Sequence, residues 1–445
     1  MEPVLAEVEV MFDEHKDRVL VRTIPLLLKE LVGQDEAQER AGSHTATLWQ
    51  VPQAGADEWV ADLKVIRLAL RELTFARGRF SLMGGVIALI AVLMVMLSGL
   101  SSGLVNDGVS GLKSMPVTAF AFDQGTKTDN AFSRSVVDDQ QLNSWRGAEG
   151  VAAAEKMGVG MANATTDSGK QVDLTLFGVE PGSFLEPSRS AGTGLGEPDG
   201  IIVSSTAKAE GIDLGTVVTL DRIGTKLRVV GFTEGQSTFG HVDVAYLPLK
   251  TWQLIASGQA APGSPDAAQL SALTFDTASV VVVQAEPGTK LDLAAGDTAA
   301  GTSSKSLSAA FNASPGYEAE TMTLSMIQVF LYAICALVVG AFFTVWTIQR
   351  KHEIAVLRAI GASTGYLLRD GLAQAAVLLV GFTVLGVAAG LGLGAAMPEA
   401  TPFALEAAPI AIATALTIGL GLIGAAVAVV RISRIDPLNA LGGQR

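Results

Sequence analysis

Side chains that could do chemistry are scattered through this sequence rather than gathered. Two segments approach a nucleotide-binding loop without completing it: DSGKQ around Lys170 lacks the leading glycine, and GASTGY from Gly361 lacks the lysine. Such a loop needs glycines for close backbone approach and a lysine for the outer phosphates, so neither segment can cradle ATP. The histidines, His15, His44, His241 and His352, lie far apart with no H-E-x-x-H pair, and paired cysteines are absent, which argues against a zinc centre. No G-x-S-x-G elbow occurs to suggest hydrolysis. The chain is therefore expected to have no catalytic residues of its own.

The best organised segment is QRKHEIAVLRAIGASTGYLLRDGLAQ, beginning at Gln349. Ile354, Leu357 and Gly361 share one helical face with Val356 and Ile360 beside it, while Lys351, His352, Glu353 and Arg358 are polar. Gly361 suits the position just past a helix end, and Ser363 or Thr364 can cap the next helix. A short amphipathic helix over 351–361 follows, within a loop spanning 348–365.

That loop has to be positioned by membrane helices. Apolar stretches at 80–104, 322–347, 366–397 and 408–430 each reach the roughly 20 residues needed to cross a 30 Å hydrocarbon core. Their spacing is one plus three, with a long polar, strand-rich segment at 105–321 after the first. Lys64, Arg67, Arg71, Arg77 and Arg79 precede the first span, Arg350, Lys351, Arg358 and Arg369 follow the second, and Arg431 and Arg434 follow the fourth. The positive-inside rule puts these flanks and both termini in the cytoplasm. Residues 105–321 are then outside, with 25 acidic against 14 basic side chains, and Glu399 and Glu406 sit in the other outer loop. The whole-chain averages, a net charge of -13 and a mean hydropathy of +0.40 over 445 residues, merge these unlike parts. An acidic exterior without a basic stripe excludes nucleic acid as a partner. The lone cysteine, Cys335, lies in the second span, so the outer domain folds by burial without disulfides.

The fold class expected is an α-helical membrane protein with four transmembrane helices and a large mixed α/β extracytoplasmic domain between the first and second. VTAFAFD, VDLTLFGV, GIIVSST, TVVTLDRIGTKLRVVGF, HVDVAYLPL and SVVVVQAE read as strands, with a hairpin around Arg222 to Lys226. DDQQLNSWRG, STAKAEGI, LKTWQLIASG and TKLDLAAGD read as short helices or turns, and the Gly, Ser and Thr run near Ala300 as a return linker. Residues 1–61 form a cytoplasmic extension, helix-prone at its start, and 62–79 an amphipathic helix at the bilayer surface leading into the first span.

The pattern carried by Arg350, Glu353, Ile354, Leu357, Arg358, Ala359, Ile360, Gly361, Ala362 and Ser363 resembles the MacB and FtsX type of ABC transporter permease. The tail at 431–445, RISRIDPLNALGG, resembles the family's close at Pro437, Ala440 and Leu441, and GIIVSSTAKAEGIDLGTVVTL with KLRVVGF resembles its outer domain. The resemblance runs from Asp62 to the C-terminus. It implies a homodimeric half-transporter in the cell membrane, served by two copies of a separate ATPase that holds ATP and Mg. The coupling residues would be Lys351, His352, Glu353, Ile354, Leu357, Arg358 and Gly361. Gly386, Gly390 and Gly394, and Gly99 with Gly103, offer small faces for dimer contact. Within the family, LSGLSSGL and the second span are most similar to the haem-exporting branch, which implies haem as a substrate rather than a resident cofactor. Met94, Met96, Glu318, Glu320, Met322 and Met326 are then its candidate contacts, because thioethers and carboxylates can ligate haem iron and no histidine is expected in that zone. Export of a peptide, antibiotic or lipid, and an FtsX-like transmitter controlling an outer cell-wall hydrolase, are the alternative readings.

The charge asymmetry makes a testable statement about sidedness. A cysteine introduced at Asp199 should react with a membrane-impermeant maleimide in intact cells, and one at Ser363 should react only after permeabilisation; the reverse pattern would invert the topology.

Overall fold

The chain divides into two units, residues 1–67 and 68–445. The computed structural model describes residues 8–13, 18–23, 77–349, 356, 360–398 and 401–433. In the first unit, β1 (Val8–Asp13) and β2 (Arg18–Thr23) form an antiparallel hairpin, with Val8 opposite Thr23 and Asp13 opposite Arg18. This corrects the helix expected there. VEVMFD and RVLVRT place valines at alternate positions, Val8 and Val10, Val19 and Val21, and that β-branched alternation outweighs the helix preference of their charged neighbours. The rest of 1–61, and 62–76 of the amphipathic segment, lie outside the described residues.

In the second unit, α1 (Arg77–Lys113) is one continuous helix. The apolar pattern ends this span at residue 104, yet the helix runs on through SSGLVNDGVSGLK, where Val109 and Leu112 are fully buried. The small residues Ser110 and Gly111 let the helix lie close against the outer domain, and that contact extends it.

The outer domain is built on an eleven-stranded mixed sheet: β3 (Ala119–Asp123), β4 (Val151–Thr166), β5 (Gln171–Val179), β6 (Arg189–Gly192), β7 (Gly200–Val203), β8 (Val217–Leu220), β9 (Lys226–Thr233), β10 (Thr238–Phe239), β11 (Val242–Pro248), β12 (Val280–Ala285) and β13 (Thr302–Ser306). The main path runs β10-β11-β7-β9-β8-β4-β12-β3-β13, while β5 bridges β11 and β4. The long β4 joins two regions, pairing β12 through its first half and β5 and β8 through its second. Short helices α2 (Ala131–Arg134), α3 (Asp139–Arg146), α4 (Leu249–Ala256), α5 (Ala267–Ala272), α6 (Leu293–Ala300) and α7 (Leu307–Ala310) cover its faces and edges. Asp138 opens α3 with a capping box, accepting from the Gln141 amide while the Gln141 side chain accepts from its own. The expected return linker near Ala300 is instead β13. Asp297 accepts hydrogen bonds from the Ser304 amide and hydroxyl and from Thr302, and β3 supplies the backbone partners that a polar strand needs.

Two apolar clusters fill this domain. One gathers Trp145, Ile201, Val203, Leu227, Leu247 and Trp252. The other is a chain of edge-to-face rings, Phe122 to Phe132, Phe132 to Phe239, Phe239 to Phe177 and Phe177 to Tyr246, with centroids 5.0 to 5.6 Å apart. Leu112 and Met115 from the end of α1 and the segment after it join the second cluster, so the first membrane helix terminates inside the outer domain's core.

The other long helices are α8 (Tyr317–Gln349), α9 (Thr364–Ala395) and α10 (Ala407–Ser433). With α1 they are the four described helices long and apolar enough to cross a membrane. Their shared core holds Ile87, Met94, Cys335, Val339, Phe343, Leu378, Leu379 and Ala425.

Trp252 supplies the sharpest packing constraint. It lies on the paired glycines Gly158 of β4 and Gly178 of β5, and a Cβ on Gly158 would come within 2.1 Å of its ring. Gly158→Leu should therefore cost about 1–3 kcal/mol or more by overpacking. The measurement is a lower thermal midpoint, followed by tryptophan fluorescence of the full-length protein in detergent.

Candidate functional site

Three ion pairs that join separate parts of the fold, Lys113 to Glu406, His241 to Asp107 and His241 to Glu320, lie where α1 leaves the membrane and meets α8, the β10–β11 hairpin and the loop before α10. Two glycines of α1 admit that loop. A Cβ on Gly103 would meet the Pro402 carbonyl at 2.1 Å, one on Gly99 would meet the Phe403 ring at 2.2 Å, and the Ala404 amide donates to the Gly99 carbonyl at 3.0 Å. One turn further, Asn106 donates to Glu406 at 3.2 Å and Lys113 reaches both Asn106 (2.9 Å) and Glu406 (3.5 Å). On another face Ser110 accepts from the Thr238 amide at 2.9 Å, and the two hydroxyls lie 2.7 Å apart.

Between β10 and β11, Gly240 and His241 make a two-residue turn in which both have positive φ, 61° and 63°. That is the primed hairpin geometry, natural for glycine and uncommon for histidine. The Gly240 amide donates to the Gly108 carbonyl at 2.9 Å, and Phe239 in the aromatic chain anchors the other end. His241 Nδ1 thereby lies 2.9 Å from Oδ2 of Asp107 on α1, and its Nε2 lies 3.0 and 3.2 Å from the two oxygens of Glu320 on α8. Gln236 donates to the other oxygen of Asp107 at 3.1 Å. Partial burial alone would lower the imidazole pKa, but hydrogen bonds to Asp107 and Glu320 and their negative charge together hold it above its ordinary 6.5. Beside it, burial raises the Asp243 carboxyl against the opposing hydrogen bonds from Thr206 and Ser204. Burial likewise pushes the Tyr246 phenol up to about 12, with Ser237 3.1 Å away as its partner.

The expected substrate residues separate into three groups. Met94 is 3% exposed and faces the interior of the bundle, while Met96 is partly buried in the same helix. Glu320 is turned toward His241, 3.0 Å from its Nε2. Glu318, Met322 and Met326 fall at successive four-residue steps of α8 and form one outward stripe, with Met322 66% and Met326 50% exposed. Val329, Phe330 and Leu337 prolong its apolar character toward the middle of the helix. The structure also overturns the expectation that no histidine lies in this zone. His241 is remote in sequence, and the signal that could have found it is the glycine between the strand runs STF and VDVAYLP, which marks a tight turn whose tip must sit at a sheet end.

Of the coupling residues, Lys351, His352, Glu353, Ile354, Leu357 and Arg358 lie outside the described residues. Gly361 has φ 104°, which glycine permits, and Ser363 accepts from the Tyr366 amide as the N-cap of α9. Ile360 is 80% exposed on this surface. The glycine repeats are used inside the chain rather than left free for a second copy: a Cβ on Gly386 would meet the Ala88 carbonyl at 2.3 Å, and one on Gly390 would meet Val95 at 2.8 Å.

Residues 80–300 match the MacB-like periplasmic core domain, and residues 325–437 match the FtsX-like permease C-terminal domain. The chain is 24% identical over 378 residues to the putative hemin transport system permease protein HrtB of Staphylococcus haemolyticus (strain JCSC1435), covering 85% of this chain and 99% of that protein. It is also 24% identical over 390 residues to an uncharacterized ABC transporter permease of Mycobacterium tuberculosis (strain CDC 1551 / Oshkosh), covering 84% and 99%. Among solved structures, the periplasmic region of MacB from Actinobacillus actinomycetemcomitans is similar at 12% identity and a TM-score of 0.32, over 43% of this chain and 91% of that one.

The seam between α1 and α9 can be tested by its glycines. Gly386→Leu should lower the thermal midpoint of the detergent-solubilised protein, with overpacking costing about 1–3 kcal/mol. Gly392→Leu, on the same helix but at a position where an added Cβ would meet nothing within 4 Å, should leave the midpoint unchanged.

Proposed function

Because the chain belongs to the MacB/FtsX family of ABC transporter permeases, we propose that it is the membrane subunit of an ATP-driven exporter of haem. In this reading two copies pair in the cell membrane with both termini cytoplasmic, and two copies of a separate ATPase, holding ATP and Mg, engage the segment from Lys351 to Gly361. The absent nucleotide loop supports that division of labour, as does an exposed Ile360 beside the capped start of α9. A helix held in different positions by two states of a partner can carry coupling free energy across the bilayer.

The observation that carries the haem reading is the Glu318, Met322 and Met326 stripe on α8, taken with the similarity to a hemin transport permease over most of the chain. A flat apolar ring with acidic edges and a soft metal centre matches an apolar helix face that carries thioethers. The Met322 and Met326 sulfurs would receive the macrocycle or its iron, and the surrounding apolar stripe would keep it out of water. Met94, enclosed in the bundle, has no such access.

Haem titrated into the detergent-solubilised protein should give a saturable Soret band that shifts in Met322→Leu, Met326→Leu and Glu318→Gln, whereas Met94→Leu leaves it in place. Cells lacking the protein should tolerate haem poorly. An unchanged band in all three stripe variants together with normal tolerance would remove haem and leave the permease. Isolated protein should not hydrolyse ATP, and Leu357→Asp should uncouple the partner ATPase from export without preventing membrane insertion; turnover by the isolated chain would overturn the division of labour.

A further inference from the structure

We propose that Asp107, His241 and Glu320 form a proton-dependent clasp that fastens the base of the outer domain to α1 and to the start of α8, and lets α8 go when the ring loses its proton. The clasp follows from the geometry where α1 leaves the membrane and is independent of the cargo. Both ring nitrogens of His241 point at carboxylate oxygens within hydrogen-bond distance, on opposite sides of the ring. A neutral imidazole has one N–H and one lone pair, so it can donate to only one of them and presents its lone pair to the other. Only the imidazolium completes both bonds. The three groups also belong to three different parts of the fold: Asp107 to α1, His241 to the β10–β11 turn and Glu320 to the first turn of α8.

The surroundings make the proton matter more. Among the described residues, His241 is the basic group ion-paired with Asp107 and with Glu320. The other groups facing the cluster do not replace it. From the β10–β11 side Asp243 adds negative charge, with Glu210 beyond it. Gln236 is a neutral donor to Asp107, and on α8 Tyr317 lies beside Gly108 at the ring's edge. On deprotonation the two carboxylates are left facing a neutral ring. His241 is also held at φ 63° by the hairpin, so it cannot follow α8 outward without undoing the turn. The raised imidazole pKa fixes the sign: the stabilisation is fully present below the ordinary 6.5 and is lost as pH rises through the folded value, which lies above it. An acidic outer medium therefore closes the clasp and an alkaline one opens it.

The test is hydrogen exchange, read by mass spectrometry on the full-length protein in lipid nanodiscs between about pH 5 and pH 9 and corrected for the intrinsic exchange rate. In the wild type, protection of segments 236–246 and 314–322 should fall severalfold with a midpoint above 6.5, while β5 stays constant. His241→Asn, whose side chain tolerates positive φ, should abolish the step. Glu320→Gln should remove the step from segment 314–322 while its protection stays high, because a neutral amide can accept from the imidazolium and donate to the lone pair of the neutral ring. This second variant gives the answer if the first folds poorly. A wild type with no step, a step that survives His241→Asn, or one that persists in segment 314–322 of Glu320→Gln would overturn the clasp.

Discussion

The unbroken backbone ladder of α1 is the constraint on which the rest of the molecule depends. A helix that crosses the bilayer must satisfy its own amides and carbonyls, and this one continues to do so beyond the hydrocarbon until Leu112 is packed among outer-domain side chains. No linker separates membrane from domain on this side. The collar residues Asn106, Asp107, Ser110 and Lys113 are spaced along one rigid rod and meet three partners: Asn106 and Lys113 the loop before α10, Asp107 the β10–β11 turn and Ser110 β10 itself.

The outer domain meets this rod with a comparably stiff element. The β10–β11 hairpin is short, but its base is held by the edge-to-face chain from Phe132 through Phe239 and Phe177 to Tyr246, whose phenol is paired with Ser237. Aromatic rings in a close-packed core have few alternative arrangements, so the turn tip is placed as firmly as a residue inside the sheet. That is how a histidine with an unfavourable backbone conformation can be held in place: the cost of a positive φ is carried by the packing on either side.

Much of the architecture is legible in the sequence because it rests on patterns that repeat locally. Four long apolar runs, the basic flanks and the strand alternation of VDLTLFGV or SVVVVQAE each report on their own neighbourhood. What escapes such a reading depends on partners distant in sequence. VAAAEKMGVGMANATT has few of the residues that favour strands, yet it becomes the longest described strand because β12, β5 and β8 pair along it and Gly158 makes room for Trp252. TSSKS is polar enough for a linker, but Asp297 and β3 recruit it into the sheet. The glycine repeats are visible, whereas their partners are not; Gly386 and Gly390 serve α1 of the same chain. At the site, the α8 methionines can be named from the sequence, while His241 cannot, since its relation to Glu320 exists only after the hairpin has formed.

The length of α1 turns it into a lever. At about 1.5 Å per residue its 37 residues extend about 55 Å, so a tilt of about 5° at its N-terminal end carries the other end through about 5 Å. That stroke exceeds the reach of a hydrogen bond. Contacts at 3 Å between the rod and its neighbours cannot stretch to absorb it: either the outer domain swings with α1 as one body, or the joints to α8 and to the loop before α10 part first. The collar thus acts as a fuse whose strength decides which of the two motions a small displacement at the far end of the helix produces.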